Sequence, residues 1–247
     1  MSGHSKWHSI RHKKGAADAK RGHLFTKLVR EIIVSAREGG GDPEMNPRLR
    51  LAISNAKNAN MPNSNIERAI KRGTGELESE KYESYLYEGY GPNGVAILIE
   101  TLTENKQRTV AAVRHVLSKN GGNLAESGAV SYVFEQKGLI QIKIDDIDED
   151  EIMMAALDAG AEDMVTSDET YDIYTPYNEL HTTISNLEKN GYSVEKAELT
   201  RVPKNTINID ECAQKVLKLL ENLEELDDVQ KVYANFEVSD EVLERIS

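Results

Sequence analysis

The chain has 247 residues, of which 39% are hydrophobic, and this length suits two or three domains with cores of their own. It contains no run of 18 apolar residues and no apolar segment after its basic N-terminus, so we expect neither a membrane span nor a secretory signal. The single cysteine, Cys212, excludes a disulfide framework and a cysteine-cluster zinc site, and it favours a reducing, cytoplasmic location.

The net charge of −12 conceals two oppositely charged parts. Residues 1–72 contain 15 of the 30 Lys and Arg residues but only 6 of the 42 Asp and Glu residues, and the rest of the chain is strongly acidic. Such segregation predicts a module that binds a polyanion, attached to a body that a polyanion would repel. The alternative is a highly charged protein in which the charges have separated by chance.

The basic part begins with an arm and a long helix. Residues 1–15 show no apolar period and are predicted to form a flexible arm. A helix is predicted from about Ala16 to Glu38, because its apolar residues repeat at the spacing of one buried face. That face consists of Leu24, Phe25, Leu28, Val29, Ile32, Ile33 and Ala36. The opposite face is predicted to present a cationic stripe made of Lys20, His23, Lys27, Arg30 and Arg37.

Two shorter helices complete this basic part, which we call the head. Asn46 and Pro47 suit the N-cap and the first position of one helix, and the run from Ser64 to Glu67 suits the capping box of the next. The last helix is predicted to end at Gly73, and the acidic stretch 74–80 is the predicted linker.

The remainder, which we call the body, changes to strand periodicity at Tyr82. Two strands joined by a turn, a helix and a strand from Ala129 to Phe134 precede a complete β-α-β-β-α-β series in residues 139–200, the order of a ferredoxin-like unit. The helix and strand after Pro203 are too few to fold alone, so we assign them to the first body unit.

The predicted fold class is α+β, with an N-terminal three-helix domain followed by two ferredoxin-like α/β sandwich domains, one inserted in the other. The predicted domains are 1–75 for the head, 80–136 plus 205–247 for the discontinuous domain, and 137–204 for the inserted domain.

Several strings of residues are shared with a known family. They are Gly3-His4-Ser5-Lys6-Trp7, Asp18-Ala19-Lys20-Arg21-Gly22, Asn46-Pro47-Arg48-Leu49-Arg50, Asn60-Met61-Pro62, Asn65-Ile66-Glu67-Arg68-Ala69-Ile70-Lys71-Arg72-Gly73 and the C-terminal Leu223-Glu224-Glu225-Leu226-Asp227-Asp228-Val229-Gln230-Lys231-Val232-Tyr233-Ala234-Asn235-Phe236. With them the whole chain resembles the YebC/PmpR family, whose mitochondrial relatives act as translational activators. The resemblance implies three domains and a cytoplasmic protein that regulates transcription by binding DNA. A ribosome-associated translation factor that binds ribosomal RNA is the alternative. His23 and the pair Ser54-Asn55 stand where many members have lysine.

The basic head supplies the candidate binding residues. Neutralising about six phosphates would make the affinity for nucleic acid fall roughly 10³-fold between 50 and 200 mM salt. The first phosphate-contact candidates are Lys6, Arg11, Lys13, Lys14, Lys20, Arg21, Lys27 and Arg30. Arg48, Arg50, Arg68, Lys71 and Arg72 form a second group. A merely solvated charged face is the alternative interpretation.

Trp7 is the only tryptophan and lies among the cations of the arm. It is predicted either to stack on an unpaired base or to pack the arm against the head. Basic segments with an aromatic residue suit RNA loops better than duplex grooves, so the residues favour RNA where the family description favours DNA.

The sequence only weakly indicates metal binding, catalysis or binding of other proteins. His4, His8 and His12 have helical spacing but no carboxylate or thiolate to complete a metal site, and we expect no cofactor. The sequence has none of the common nucleotide-binding or hydrolase motifs, so we expect no enzyme activity. The acidic body remains a candidate surface for basic proteins, including those of the ribosome.

Overall fold

The computed structural model describes residues 17–145, 147–167 and 169–246, with side chains from Gly22 onward. Three helices form the head: α1 (Ala17–Gly39), α2 (Pro47–Asn58) and α3 (Asn63–Thr74). Helix α1 packs against both of the others, and the apolar faces enclose a small core that includes Ile32, Leu49 and Ile66. The described part of the chain has no helix long and apolar enough to cross a membrane.

Of the two helix starts predicted for the shorter helices of the head, one is confirmed and the other is wrong. Asn46 caps α2 as predicted, since its side chain accepts a hydrogen bond from the N–H of Leu49 at 3.0 Å. The predicted capping box at Ser64 is wrong, because Pro62, two residues earlier, occupies the cap position without a side-chain hydrogen bond and α3 begins at Asn63. The carbonyl oxygen of Pro62 accepts the first hydrogen bonds of the helix, from the N–H groups of Asn65 at 2.9 Å and Ile66 at 3.3 Å, so Ser64 lies within the first turn.

The first body unit is a four-stranded sheet in the order β3-β1-β2-β9. The strands are β1 (Glu83–Tyr90), β2 (Ala96–Thr103), β3 (Asn123–Leu124) and β9 (Val229–Ala234). Helices α4 (Lys106–Lys119) and α7 (Ala213–Glu224) contribute Val113, Leu117, Val216 and Leu220 to the core under this sheet. The chain ends with α8 (Asp240–Ile246), which closes the same core with Val242 and Leu243.

The inserted unit has the ferredoxin-like strand order. Its sheet runs β5-β6-β4-β7 and is antiparallel throughout. The elements are β4 (Phe134–Lys143), α5 (Glu149–Ala159), β5 (Asp163–Thr166), β6 (Thr170–Pro176), α6 (Leu180–Lys189) and β7 (Lys196–Pro203). A short parallel pair, β8 (Ile207–Asn208) and β10 (Phe236–Glu237), returns the chain to the first unit. The predicted fold class is confirmed, and the boundaries between domains stay a prediction.

One predicted strand of the body is wrong. Residues 129–134 were expected to be extended, but a helical turn at Ser131–Val133 precedes β4, and β3 takes the edge of the first sheet instead. The reason is Glu88 on β1, which is 3% exposed. Its carboxylate accepts hydrogen bonds from the backbone N–H groups of Gly128, Val130 and Ser131, and these groups are therefore unavailable to a sheet.

Ion pairs join the two body units. Lys231 on β9 lies 2.9 Å from Glu198 on β7, and Arg201 on β7 lies 2.9 Å from Glu100 on β2. Lys231 also donates to the carbonyl of Leu199 at 2.7 Å. These contacts hold the inserted domain against the face of the first sheet that α4 and α7 leave uncovered.

Candidate nucleic-acid interface

The predicted binding residues fall into four places. Those of the arm lie outside the described residues: Lys6, Trp7, Arg11, Lys13 and Lys14. Lys20 and Arg21 belong to α1, but their side chains are outside the described part. The remaining candidates are distributed over the three helices of the head, where their surroundings differ sharply.

The outer face of α3 is open to solvent. Helix α3 buries Ile66 and Ala69 against the head, and this orientation turns Arg68, Lys71 and Arg72 outward, where all three are exposed. None of the three side chains has a hydrogen-bonding or ion-pair partner among the described residues. Arg68 and Lys71 line a shallow groove. We call Arg68, Lys71 and Arg72 the α3 basic face.

The arginines of α2 are engaged within the head. Arg48 pairs with Glu31 at 2.9 Å and also with Glu38, so carboxylates of α1 already balance its charge. Arg50 donates to the carbonyl oxygens of Pro43 at 2.9 Å and Glu44 at 2.7 Å. These two residues support the loop between α1 and α2, and the structure does not bring them together with the α3 basic face as a single cationic patch.

Three residues of the predicted α1 stripe, His23, Lys27 and Arg30, face the body. The Nζ of Lys27 donates to the carbonyl oxygen of Glu224, the last residue of α7, at 2.9 Å. His23 lies beside the same carbonyl at 3.1 Å, and its Nδ1 is 3.1 Å from a carboxylate oxygen of Asp227. We call His23, Lys27 and Arg30 the α1 cationic face, and residues 223–228 the acidic segment.

Both ring nitrogens of His23 lie next to acceptors, so both can donate only when the ring is protonated. Burial and the neighbouring charge of Lys27 lower the pKa of His23, and the carboxylate of Asp227 opposes them only in part. At neutral pH the imidazole therefore donates to one of its two neighbours at a time.

Arg30 has the most buried of these contacts. Its guanidinium lies 3.1 Å from the carboxylate of Asp228, and the two side chains are 11% and 10% exposed. The same group donates to the carbonyl of Leu102 at 3.4 Å and to that of Asp227, and it stacks over the ring of Tyr82 at 5.2 Å from the centroid. Lys27 and Arg30 were expected to contact phosphate, but here they contact the body.

Asp228 organises the body side of this contact. Besides Arg30, it accepts from Arg108 of α4 at 3.0 and 2.9 Å and from the hydroxyl of Thr109 at 2.7 Å. Burial raises the pKa of the Asp228 carboxyl, but the hydrogen bonds from Thr109 and Arg108 lower it by more, so that it lies below its ordinary value. Nothing in the sequence singled out Arg108. The acidic run that contains Asp228 was the available signal.

The single cysteine, Cys212, stands at the N-cap of α7. Burial raises its pKa, which disfavours the thiolate. Among the described residues, no group of three His, Cys, Asp or Glu side chains is placed to hold a metal ion.

Comparison with known proteins accounts for nearly the whole chain. Residues 5–76 match the model of the TACO1/YebC protein N-terminal domain, and residues 82–236 match that of the TACO1/YebC second and third domain. The chain is 59% identical to a probable transcriptional regulatory protein of Persephonella marina over the full length of both, and 54% identical to another from Aquifex aeolicus, also over both full lengths. A crystal structure of a conserved hypothetical protein from Aquifex aeolicus superposes with a TM-score of 0.88 at 55% identity, covering 95% of this chain and 97% of the other. The resemblance seen in the sequence is thereby confirmed, and the chain belongs to the TACO1/YebC family.

Proposed function

We propose that this protein regulates transcription in the cytoplasm by binding nucleic acid through its head, without catalysing a reaction. The observation that carries the proposal is the α3 basic face, whose three cations are exposed and have no partner among the described side chains. Cations in this state can exchange their counterions for phosphates without first breaking a protein contact. The names of the relatives, probable transcriptional regulatory proteins, support the regulatory role.

A ribosomal RNA target, and thus a role in translation, is the second candidate. It is favoured by the composition of the arm, where Trp7 lies among Lys6, Arg11, Lys13 and Lys14. An aromatic residue within a basic segment can stack on unpaired bases, which RNA loops present and duplex DNA does not. The arm and the α3 basic face belong to the same head, so either polymer would use both.

Replacing Arg68, Lys71 and Arg72 together with glutamine is expected to weaken binding about 100-fold at 150 mM salt. The plot of log affinity against log salt should become shallower by about 2–3, since each lost phosphate contact removes about 0.7–0.9 from the slope. Fluorescence anisotropy with a 20-nucleotide RNA and a 20-base-pair DNA measures both quantities.

The matched control changes three exposed cations of the body to glutamine: Lys215, Lys218 and Arg245. It alters the net charge equally and should leave the affinity nearly unchanged. Equal losses in the two triple variants would show that only overall charge matters and would refute a defined interface on α3. Crosslinking in cells, followed by sequencing of the bound RNA and DNA, then decides between promoters and ribosomal RNA. A Lys13→Glu/Lys14→Glu variant tests whether the arm contributes.

A further inference from the structure

We infer that the α1 cationic face is a second polyanion-binding surface, which the acidic segment covers in the docked head, so that nucleic acid and the acidic segment compete for it. This inference rests on the proposed function, because it assigns a means of regulation to the same head. It predicts that binding is weaker in the docked state and that a bound polyanion releases the segment.

The acidic segment offers the α1 cationic face the same kind of acceptors as a phosphate backbone. Glu224 is the last residue of α7, and its carbonyl at the negative end of the helix dipole accepts from Lys27. Asp227 and Asp228 then present carboxylates to His23 and Arg30. A phosphodiester carries equivalent charged oxygens, so a nucleic acid strand can replace each of these contacts with a similar one.

The charge pattern of α1 supports a strand-binding surface. His23, Lys27 and Arg30 are separated by four and three residues and therefore lie along one side of the helix. Lys20 continues the same spacing toward the N-terminus. If the body leaves, the stripe adds up to three phosphate contacts in addition to those made by the α3 basic face.

The body can release the head without leaving a buried charge unpaired. Asp228 keeps its hydrogen bonds from Arg108 and Thr109, both of which belong to α4 of the same unit. The exposed contact between His23 and Asp227, where the carboxylate side chain is 72% exposed, contributes little to holding the head.

On the head side, Arg30 is incompletely satisfied when docked. Its Nε is buried and has no hydrogen-bond partner among the described residues, although its Nη1 donates to Leu102, Asp227 and Asp228. A buried donor without an acceptor costs free energy that water or a phosphate would recover. The buried ion pair between Arg30 and Asp228 stabilises docking and the orphaned Nε opposes it, a balance that a polyanion can shift.

The first test uses the double variant Asp227→Asn/Asp228→Asn, which keeps the shapes of the side chains and removes the charges that face α1. It is expected to bind the 20-nucleotide RNA about tenfold more tightly than the wild-type protein, with a salt slope steeper by about 1–2. The control, Asp158→Asn/Glu188→Gln, removes two charges from exposed positions of α5 and α6 and should change neither quantity appreciably.

A second pair of variants tests whether the gain in RNA affinity comes from the α1 cationic face. Lys27→Gln/Arg30→Gln is expected to weaken binding less in the wild-type background than in the Asp227→Asn/Asp228→Asn background, because the body competes for these cations only in the former. Combined with Asp227→Asn/Asp228→Asn, the same two changes should abolish the gain. An undiminished gain in the combined variant would mean that lost repulsion, and not the α1 cationic face, explains the tighter binding.

A third measurement uses the wild-type protein alone. Saturation with the RNA is expected to increase amide hydrogen exchange in residues 223–228, because the head no longer covers them. Unchanged or slower exchange there would overturn the inference even if binding is tight.

Failure of this inference is distinguishable from failure of the proposed function. If the wild-type protein binds through the α3 basic face and the double variant binds with the same affinity and slope, only the competition is refuted. If neither protein binds the RNA or the DNA, both ideas are refuted together.

Discussion

Replacing Glu88 with alanine is expected to lower the free energy of unfolding by about 3 kcal/mol or more, and this should be among the most damaging single substitutions in the body. The carboxylate accepts from the N–H groups of Gly128, Val130 and Ser131 at 2.7, 2.6 and 2.9 Å. The bond from Val130 is buried and the other two are partly buried. A buried donor that loses its acceptor costs about 1–3 kcal/mol. Chemical denaturation monitored by circular dichroism measures the loss, and Glu126→Ala, an exposed position of the same loop, is the control.

The Glu88 carboxylate also predicts how stability depends on pH. Burial raises its pKa, but the three backbone donors lower it by more, so the net pKa lies below the ordinary value. A lowered folded-state pKa means that the stabilisation is complete above the ordinary pKa of glutamate and is lost as the pH falls through the folded-state pKa. Glu88→Gln cannot titrate, so its unfolding free energy should lack this contribution in that acidic range. A wild-type pH profile that parallels the profile of the Gln variant would contradict the assignment.

Replacing Gly73 with alanine is expected to destabilise the head by about 2 kcal/mol and to weaken nucleic-acid binding with it. A Cβ at this position of α3 would lie 2.6 Å from the Cβ of Ala36 and 2.6 Å from the carbonyl oxygen of Ile33, both on α1. Neither neighbour is a flexible side chain that can move aside, so the two helices must separate. Because both contacts are so short, the cost should lie near the upper end of the roughly 1–3 kcal/mol typical of overpacking, and the gain of about 1 kcal/mol from better helix propensity leaves a net loss of about 2 kcal/mol.

The matched control for Gly73 is Gly22→Ala in α1, where a Cβ would meet nothing within 4 Å. The same chemical change is expected to stabilise that helix slightly. Differential scanning calorimetry, with hydrogen exchange to locate the effect, would show the loss in residues 22–74 and a body that still folds. A uniform loss over the whole chain would mean that the head has no stability of its own, and it would argue against the predicted boundary near residue 75.

The fold was largely predictable because its signals are local. The apolar period of α1, the Asn46-Pro47 cap and the turn Gly91–Gly94 each depend on residues close together in the chain, and all three are present in the structure. The misplaced strand of the body has a different cause. The strand expected at 129–134 is displaced by Glu88, a residue some 40 positions earlier whose side chain takes the hydrogen bonds that a ladder would need.

For the candidate interface, too, local spacing was predictive and contacts between distant residues were not predictable. Sequence spacing placed the cations of α1 on one helix face, and the basic composition of the head made those of α3 a second group of candidates. It could not distinguish the two, because a period of 3.6 residues describes which side chains share a face and not what lies opposite that face. Only the folded chain places Glu224 and Asp228, about 200 residues away, against Lys27 and Arg30, and leaves Arg68 and Lys71 facing solvent.

The amino-acid sequence by itself therefore determined the family, the α+β class, and the separation of a basic head from an acidic body. These properties are set by composition and by contacts between near neighbours in the chain. The tertiary structure alone decided which cations are available, because an ion pair such as Arg30 with Asp228 forms only when distant segments are brought within a few ångströms and shielded from water.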